Sequence, residues 1–169
     1  MSRRNGIGGH QSAKMINDEW ITPPEIIKAL GPFDLDPCAP VIRPWDTAKW
    51  HWTINENGLL APWNGFTWLN PPYGKFTARW LERMAQHNNG IALIFARTET
   101  DMFFRYVWDN ASCLLFMRGR INFYDVDGKR ANVNSGAPSV LIGYGIEAFV
   151  RLEDCKINGK FVDLLYHKF

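Results

Sequence analysis

The sequence predicts a three-layer α/β domain whose sheet is mostly parallel and finishes in antiparallel strands. The middle of the chain alternates short apolar strands with apolar residues at helical spacing, a pattern typical of strand–helix–strand units. The last third carries apolar runs separated by glycine and turn residues, which favours antiparallel pairing. A length of 169 residues fits one domain. We expect residues 1–15 to form a flexible N-terminal arm and residues 16–169 a single domain.

Local signals predict the individual elements. A helix is expected over residues 23–30, with Thr22 and Glu25 at capping-box spacing and Gly31 as its stop. The strands around Gly145 are expected to pair antiparallel, and Asp127-Gly128 is a hairpin-type turn signal. Strands are predicted at residues 33–36, 48–52, 66–69, 91–96, 113–117, 121–124, 139–144, 149–152 and 161–166, and further helices at about 76–87 and 101–110.

The composition bears on the partners, the metal content and the cellular location that we expect for the protein. The net charge of +2 is low for a nucleic-acid-binding protein, so the charge alone neither indicates nor excludes a nucleic-acid partner. Aromatic residues make up 14% of the chain, which fits both core packing and platforms for planar ligands. Three widely spaced cysteines indicate reduced packing residues rather than a disulfide framework or a zinc site. No apolar run is long enough for a bilayer, and no secretory signal is visible, so we expect a cytoplasmic protein with no metal and no membrane partner.

The tetrapeptide Asn70-Pro71-Pro72-Tyr73 follows the predicted strand at residues 66–69. Its prolines fix the backbone, so the Pro71 carbonyl and the Asn70 side-chain oxygen can act together as two acceptors. Two convergent acceptors suit an –NH2 group, because holding both hydrogens frees the nitrogen lone pair. Tyr73 offers a face on which a base can stack. A methylsulfonium is electrophilic enough to react with such an amine without an initial general base. The structural alternative for this tetrapeptide is a plain Pro-rich turn after a strand.

Several further blocks occur in an order that is found in one family. They are Asp18-Glu19-Trp20-Ile21-Thr22-Pro23-Pro24, Phe33-Asp34-Leu35-Asp36-Pro37-Cys38-Ala39, Asn57-Gly58-Leu59, Trp68-Leu69-Asn70-Pro71-Pro72-Tyr73-Gly74, Ala96-Arg97-Thr98-Glu99-Thr100, Arg118-Gly119-Arg120-Ile121-Asn122-Phe123 and Pro138-Ser139. Over roughly residues 17–145 the chain resembles the phage-type DNA adenine methyltransferases, the Dam-like family. The resemblance implies a Rossmann-like S-adenosylmethionine-dependent methyltransferase fold. It also implies site-specific methylation of the 6-amino group of adenine in DNA, with Asn70, Pro71, Pro72 and Tyr73 as the catalytic loop.

The resemblance also implies a set of residues for the methyl donor. The expected S-adenosylmethionine contacts are Trp20, Thr22, Pro23, Asp36, Pro37, Asn57 and Asn70. The Asp36 carboxylate would face the cationic end of the donor, a favourable pairing of charges. The plain alternatives are a helix cap at Thr22 and a turn residue at Asp36. The chain departs from many amino-methyltransferases at residues 38–40, where Cys-Ala-Pro replaces a glycine-rich turn.

Contacts with double-stranded DNA are expected from residues that leave the sheet near the catalytic loop. The expected DNA-binding residues are Lys75, Arg97, Thr98, Thr100, Arg118 and Arg120. Arginine and hydroxyl side chains position phosphate backbones well, and a β-ribbon beside Gly119 could enter a groove. The alternatives are an exposed loop with a helix-capping threonine and a solvated arginine pair.

Two other functions remain open at the level of sequence. Asn-Pro-Pro-Tyr also occurs in amino-methyltransferases that act on cytosine, RNA or protein glutamine. A non-catalytic nucleic-acid-binding module is the alternative from a different class. The family likeness favours a phage or prophage enzyme that works in the bacterial host cytoplasm and shields DNA from restriction nucleases.

Overall fold

The computed structural model describes residues 20–132 and 134–167, so the predicted arm at residues 1–15 lies outside the described residues. The strands, in chain order, are β1 (Leu35–Asp36), β2 (Trp50–His51), β3 (Thr67–Leu69), β4 (Gly90–Phe95), β5 (Cys113–Met117), β6 (Ser139–Tyr144) and β7 (Gly159–Asp163). The helices are α1 (Pro24–Leu30), α2 (Thr77–His87), α3 (Asp101–Phe103), which continues as the π-helical turn Phe104–Trp108, and α4 (Ile146–Asp154). A short 3₁₀ turn spans Leu165–His167.

All seven strands belong to one mixed sheet in the order β2-β1-β3-β4-β6-β5-β7. Neighbours from β2 to β4 pair in parallel, whereas β6 is antiparallel to β4 and β5, and β7 is antiparallel to β5. Strands β1 to β5 therefore point the same way and end at one edge, which we call the carboxyl edge. Open sheets of this kind bind ligands at that edge. The predicted α/β class with a mixed sheet is confirmed.

Helices cover both faces of the sheet. On one face, α1 and α4 bury Leu30 and Leu152 in a cluster with Trp68. On the other face, α2 and the π-helical turn bury Leu81 and Val107. Strand β4 sends alternate residues to the two clusters, which explains its continuous apolar run. The three-layer arrangement expected from the sequence is therefore confirmed, and no helix in the described ranges is long and apolar enough to cross a membrane.

The expected strand at residues 149–152 is wrong, because this segment lies within helix α4. Its buried residues Ala148 and Leu152 stand four apart on one helical face, and Arg151 bonds Glu147 at 2.5 Å on the outer side. Gly145, with φ of +85°, turns the chain out of β6 into the helix. Strand β6 pairs instead with β4 and β5, from residues distant in the chain.

Three further expectations need correction. Pro23, not Thr22, is the N-cap residue of α1, and no side chain caps that helix, so the capping box is wrong. Residues 121–124 form no strand; Tyr124 only makes isolated antiparallel bridges to Ile21 and Arg130. The last strand begins at Gly159, two residues before the expected start, because its ladder with β5 begins opposite Met117.

Candidate active site

The loop at residues 70–73 leaves β3 at the carboxyl edge and is fastened to the start of α2. The Thr77 hydroxyl donates to the Pro72 carbonyl at 2.9 Å and accepts the Gly74 N–H at 3.0 Å. Pro71 is buried, and the strand that precedes the loop is completely covered. The two prolines restrict the backbone of the loop, and the hydrogen bonds to Thr77 fix its end, so the loop is held in one conformation.

The Asn70 side chain has a fixed orientation and one unused acceptor. Its Nδ2 donates to the Trp20 carbonyl oxygen at 2.9 Å. Because a carbonyl only accepts, the amide nitrogen must face Trp20, and the amide oxygen must point away from it. That oxygen is buried without a hydrogen-bond partner, and no donor in the described ranges is bonded to the Pro71 carbonyl either. Two neighbouring acceptors are therefore left unsatisfied by the protein.

A cavity of about 440 Å³ opens beside this loop, and we call it the donor cavity. Its walls come from the segments after β1, β2 and β3 and from α2. Trp20, Asn57 and Asn70 line it together with the exposed Phe76 and the buried Trp80. The volume lies in the usual range for small-molecule sites, and the lining is largely apolar with a few polar groups.

Asp36, the last residue of β1, is buried next to the donor cavity. One carboxylate oxygen accepts the Cys38 N–H at 3.0 Å, and the other accepts the Thr47 hydroxyl hydrogen. Burial raises the pKa of this carboxyl to about 6, against the opposing effects of the two hydrogen bonds and the Arg43 charge. Pro37 and Cys38 line the cavity, whereas Asp36 does not. The carboxylate thus holds the backbone of the cavity wall.

A second wall of the donor cavity is held by contacts around Gly58. A methyl group at Gly58 would overlap the Pro37 carbonyl oxygen, so only glycine allows the two segments to approach this closely. The Trp63 indole donates to the Gly58 carbonyl at 2.8 Å, and the Arg83 guanidinium lies 5.2 Å from the centre of the Trp63 ring. Arg83 also donates to two carbonyls of this segment, that of Leu59 at 2.5 Å and that of Ala61.

A second cavity, of about 450 Å³, lies on the other side of the loop at residues 70–73. We call it the acceptor cavity. Tyr73 and Gly74 line one side, and Arg97 and Thr100 line the other. Tyr73 also lines the donor cavity, so this residue separates two spaces that are each large enough for a small ligand or a single base.

The Tyr73 ring is already stacked within the protein. Its centroid lies 3.9 Å from that of Phe95, with an angle of 7° between the ring planes. Its hydroxyl is buried without a partner, and burial raises the pKa of the phenol above its usual value, so the side chain stays neutral. A base that stacks on Tyr73 must therefore use the ring face away from Phe95 or separate the two rings.

A comparison of the sequence with models of protein families identifies the family of this chain. A family model described as DNA N-6-adenine-methyltransferase (Dam) matches residues 9–146. The chain belongs to this family. No curated protein and no solved structure gives a match. The matched Dam range contains both cavities and the loop at residues 70–73, and membership implies S-adenosylmethionine as the methyl donor.

The structure brings together only part of the predicted donor-binding set of this Dam-family chain. Trp20, Pro37, Asn57 and Asn70 line the donor cavity. Thr22, Pro23 and Asp36 are buried outside its lining, and the Thr22 hydroxyl has no hydrogen-bond partner. The Trp20 indole N–H is likewise buried without a partner. The described residues contain no group of three or more metal-ligating side chains.

The predicted DNA-binding residues of the Dam-family chain lie along the carboxyl edge. Arg97, Arg118 and Arg120 are exposed. The exposed Lys75 lies with its amine 4.9 Å from the centre of the Phe76 ring. The other two predicted residues lie in the loop after β4: the Thr98 carbonyl accepts the Trp108 indole N–H at 3.3 Å, and the Thr100 hydroxyl caps α3.

Arg118 and Arg120 flank Gly119, whose φ is +83°. Asp127 and Gly128 lie in a tight turn closed by the Gly128 N–H and the Asp125 carbonyl, and Tyr124 pairs with Arg130 in an antiparallel bridge, so the predicted hairpin-type turn is confirmed, although its arms form no regular strands in the described residues. The Asp125 side chain accepts two backbone N–H groups inside this turn, at 3.1 and 2.8 Å.

Sequence reasoning missed several residues that shape the site. Phe76 and Trp80 fall in the helix predicted at about residues 76–87 and have no predicted binding role, yet both line the donor cavity. The sequence predicts no role for Arg83 or Phe95, although Arg83 fastens the cavity wall and Phe95 stacks on Tyr73. The excess of aromatic residues was the available signal, because it fits ligand platforms as well as cores.

Proposed function

We propose that this Dam-family chain is a site-specific DNA methyltransferase that transfers a methyl group from S-adenosylmethionine to the 6-amino group of adenine. The observation that carries the proposal is the unsatisfied oxygen of Asn70, oriented by the Trp20 carbonyl and adjacent to the free Pro71 carbonyl. The Asn70 oxygen is a buried acceptor without a partner, which is destabilising unless a ligand donates to it, and the neighbouring Pro71 carbonyl offers a second acceptor to the same ligand. An exocyclic amine is such a donor.

The donor cavity fits S-adenosylmethionine in size and chemistry. Its volume of about 440 Å³ suits a nucleoside-sized molecule, and its aromatic walls suit a planar base. The unpartnered Trp20 indole N–H is a donor available to a polar group of the ligand. When bound, S-adenosylmethionine supplies an electrophilic methyl group on a cationic sulfur.

The chain's own residues position and activate the acceptor. Asn70 and Pro71 accept the two amine hydrogens, which localises the lone pair on the nitrogen. Tyr73, neutral and held by Phe95, stacks on the extruded adenine. Because both acceptors are rigid before the base arrives, little reorganisation is needed during transfer, and most of the rate gain comes from positioning and electrostatics.

We further propose that the sheet is a Rossmann-like methyltransferase fold and that double-stranded DNA lies along the carboxyl edge. Arg97 lines the acceptor cavity and is exposed, which supports a phosphate contact beside the target nucleotide. Lys75, Arg118 and Arg120 extend the same exposed basic rim. A phage-encoded enzyme that acts in the bacterial cytoplasm and protects DNA from restriction is the biological setting that we propose.

Labelled S-adenosylmethionine incubated separately with duplex DNA, RNA and protein tests the substrate class. Label is expected in DNA alone, on N6 of adenine, and mapping of methylated adenines in a plasmid gives the recognition site. Label confined to RNA or protein rejects the proposal, and label on cytosine rejects the adenine assignment. An absence of label everywhere, together with normal DNA binding and no thermal stabilisation by S-adenosylhomocysteine, favours the non-catalytic module.

The Asn70→Ala variant tests the catalytic loop. We expect methylation to fall by at least about a hundredfold, as for loss of an essential transition-state hydrogen bond. Thermal stabilisation by S-adenosylhomocysteine should persist. Asn64→Ala, at an exposed asparagine before β3, is the matched control and should keep full activity. Activity of Asn70→Ala within a few-fold of wild type contradicts the role of its oxygen.

A further inference from the structure

Strand β7 and the segment before it carry two lysines toward the carboxyl edge, beyond the range that the family model matches. That match ends at residue 146, whereas β7 covers Gly159–Asp163. After α4 the chain returns to the carboxyl edge, where the Asn158 carbonyl accepts the Arg118 N–H at 2.9 Å. The ladder then places Lys160 opposite Phe116 of β5. Lys160 therefore lies beside the end of β5, close to Arg118, and Lys156 precedes Asn158 by two residues on the approach to this edge.

Both lysines carry charge that the described protein does not neutralise. Lys156 and Lys160 are exposed, and neither forms a salt bridge with a described carboxylate. Glu153 and Asp154 lie in the last turn of α4, before the chain reaches the carboxyl edge, and Asp163 ends β7 at the opposite edge. The positive charge at this corner is thus available to a partner.

The strand order sets the spacing of this charge from the catalytic loop. Neighbouring strands lie about 4.8 Å apart, so β7 is about 14 Å from β4, which carries Arg97, and about 19 Å from β3, which carries Asn70. A DNA strand rises about 3.4 Å per nucleotide, so 19 Å corresponds to roughly five or six nucleotides. A backbone that runs along the edge would pass Arg97, then Arg118, then Lys160.

We propose that Lys156 and Lys160, with Arg118, form a C-terminal phosphate-binding strip that contacts the DNA backbone about five or six nucleotides to one side of the target adenine. The proposal rests on the proposed function, since the catalytic loop defines the position of the target. The strip carries no base contact, so it strengthens binding without reading sequence. It gives the enzyme a one-sided DNA footprint.

The salt dependence of DNA binding tests the strip. For wild type and the Lys156→Ala/Lys160→Ala double variant, affinity for a duplex with the mapped site is measured between 50 and 200 mM salt. Each lost phosphate contact lowers the slope of log affinity against log salt by about 0.9, so the pair lowers it by about 1.8. Wild-type affinity should therefore fall about tenfold more than that of the variant over this range. Lys28→Ala, at the exposed last turn of α1, is the matched control and should leave the slope unchanged.

Asymmetric duplexes locate the contact. Two duplexes carry the same site, each with about ten base pairs on one side of the target and three on the other, in opposite senses. The double variant should lose affinity on only one of them. Equal slopes for variant and wild type, or equal losses on both duplexes, overturn the strip while wild-type methylation leaves the proposed function intact. A wild type that binds DNA with the strip's salt slope but transfers no methyl group overturns the function instead.

Discussion

The replacement of Asp36 by asparagine should remove a pH-dependent cost to stability. Asp36 is only 4% exposed, and burial raises the pKa of its carboxyl from 3.8 to about 6 in the folded protein. Between these two pH values the folded state holds a proton that the unfolded state has released. Because the native state binds more protons there, the free energy of unfolding falls as the pH rises through this window.

The magnitude follows from the separation of the two pKa values. A difference of about two pH units, at about 1.4 kcal/mol per unit, amounts to about 3 kcal/mol. Relative to Asp36→Asn, the wild type should therefore lose about 3 kcal/mol between pH 3.5 and pH 7. For a domain of this size that corresponds to a change of about 6–12 °C in the difference between the melting temperatures.

Thermal and urea unfolding of both proteins at half-unit pH steps would measure this difference. Other titrating groups are common to the two proteins and largely cancel. Thr47→Val provides a cross-check: the Thr47 hydroxyl favours the ionised carboxylate, so its removal should raise the pKa further and extend the unfavourable window to higher pH. A wild-type-minus-variant difference that is constant from pH 3.5 to pH 7 would refute the reasoning.

Three further substitutions probe the walls of the two cavities. Gly58→Ala should lower the melting temperature by about 2–12 °C, since overlap with the Pro37 carbonyl costs about 1–3 kcal/mol, and should abolish further stabilisation by S-adenosylhomocysteine. Arg83→Lys loses the paired bonds to two loop carbonyls, so calorimetry should show S-adenosylhomocysteine binding about tenfold weaker with DNA affinity unchanged; equal affinity would mean that the loop is ordered without Arg83. Phe95→Leu removes the stack on Tyr73 and should lower kcat about two- to tenfold in single-turnover methylation, and an unchanged kcat would contradict a positioning role for Phe95.

The strand end at Asn70 and the layers of the fold could be predicted because their signals are local and strong. The apolar residues before Asn70 and the two prolines after it define a strand end without reference to the rest of the chain. Strand β4 is buried on both faces, so its apolar run could be read directly. Polar residues that directly follow such strands are therefore expected at the carboxyl edge, and this expectation does not require knowledge of which strands pair.

The errors occurred where distant contacts decide the structure. Residues 149–152 contain apolar residues that suit a strand, but Gly145, with φ of +85° and packed against the Asn88 carbonyl, turns the chain out of β6, and helix α4 follows. Thr22 and Glu25 have the spacing of a capping box, but no side chain caps α1. Ile21, next to Thr22, is held instead by an antiparallel bridge to Tyr124, which lies far along the chain. Spacing alone contains neither contact.

Trp20 links the two halves of the proposed reaction. Trp20 lines the donor cavity, and its carbonyl orients the Asn70 amide through a bond of 2.9 Å. Displacement of Trp20 would therefore disturb the donor cavity and also release the acceptor that holds the target amine. A misplacement of about 1 Å can lower a rate a hundredfold. Trp20 therefore influences the two positions to which methyl transfer is sensitive, that of the methyl donor and that of the target amine. Occupation of the donor cavity, by packing against Trp20, should thus also fix the orientation of Asn70 before the base enters.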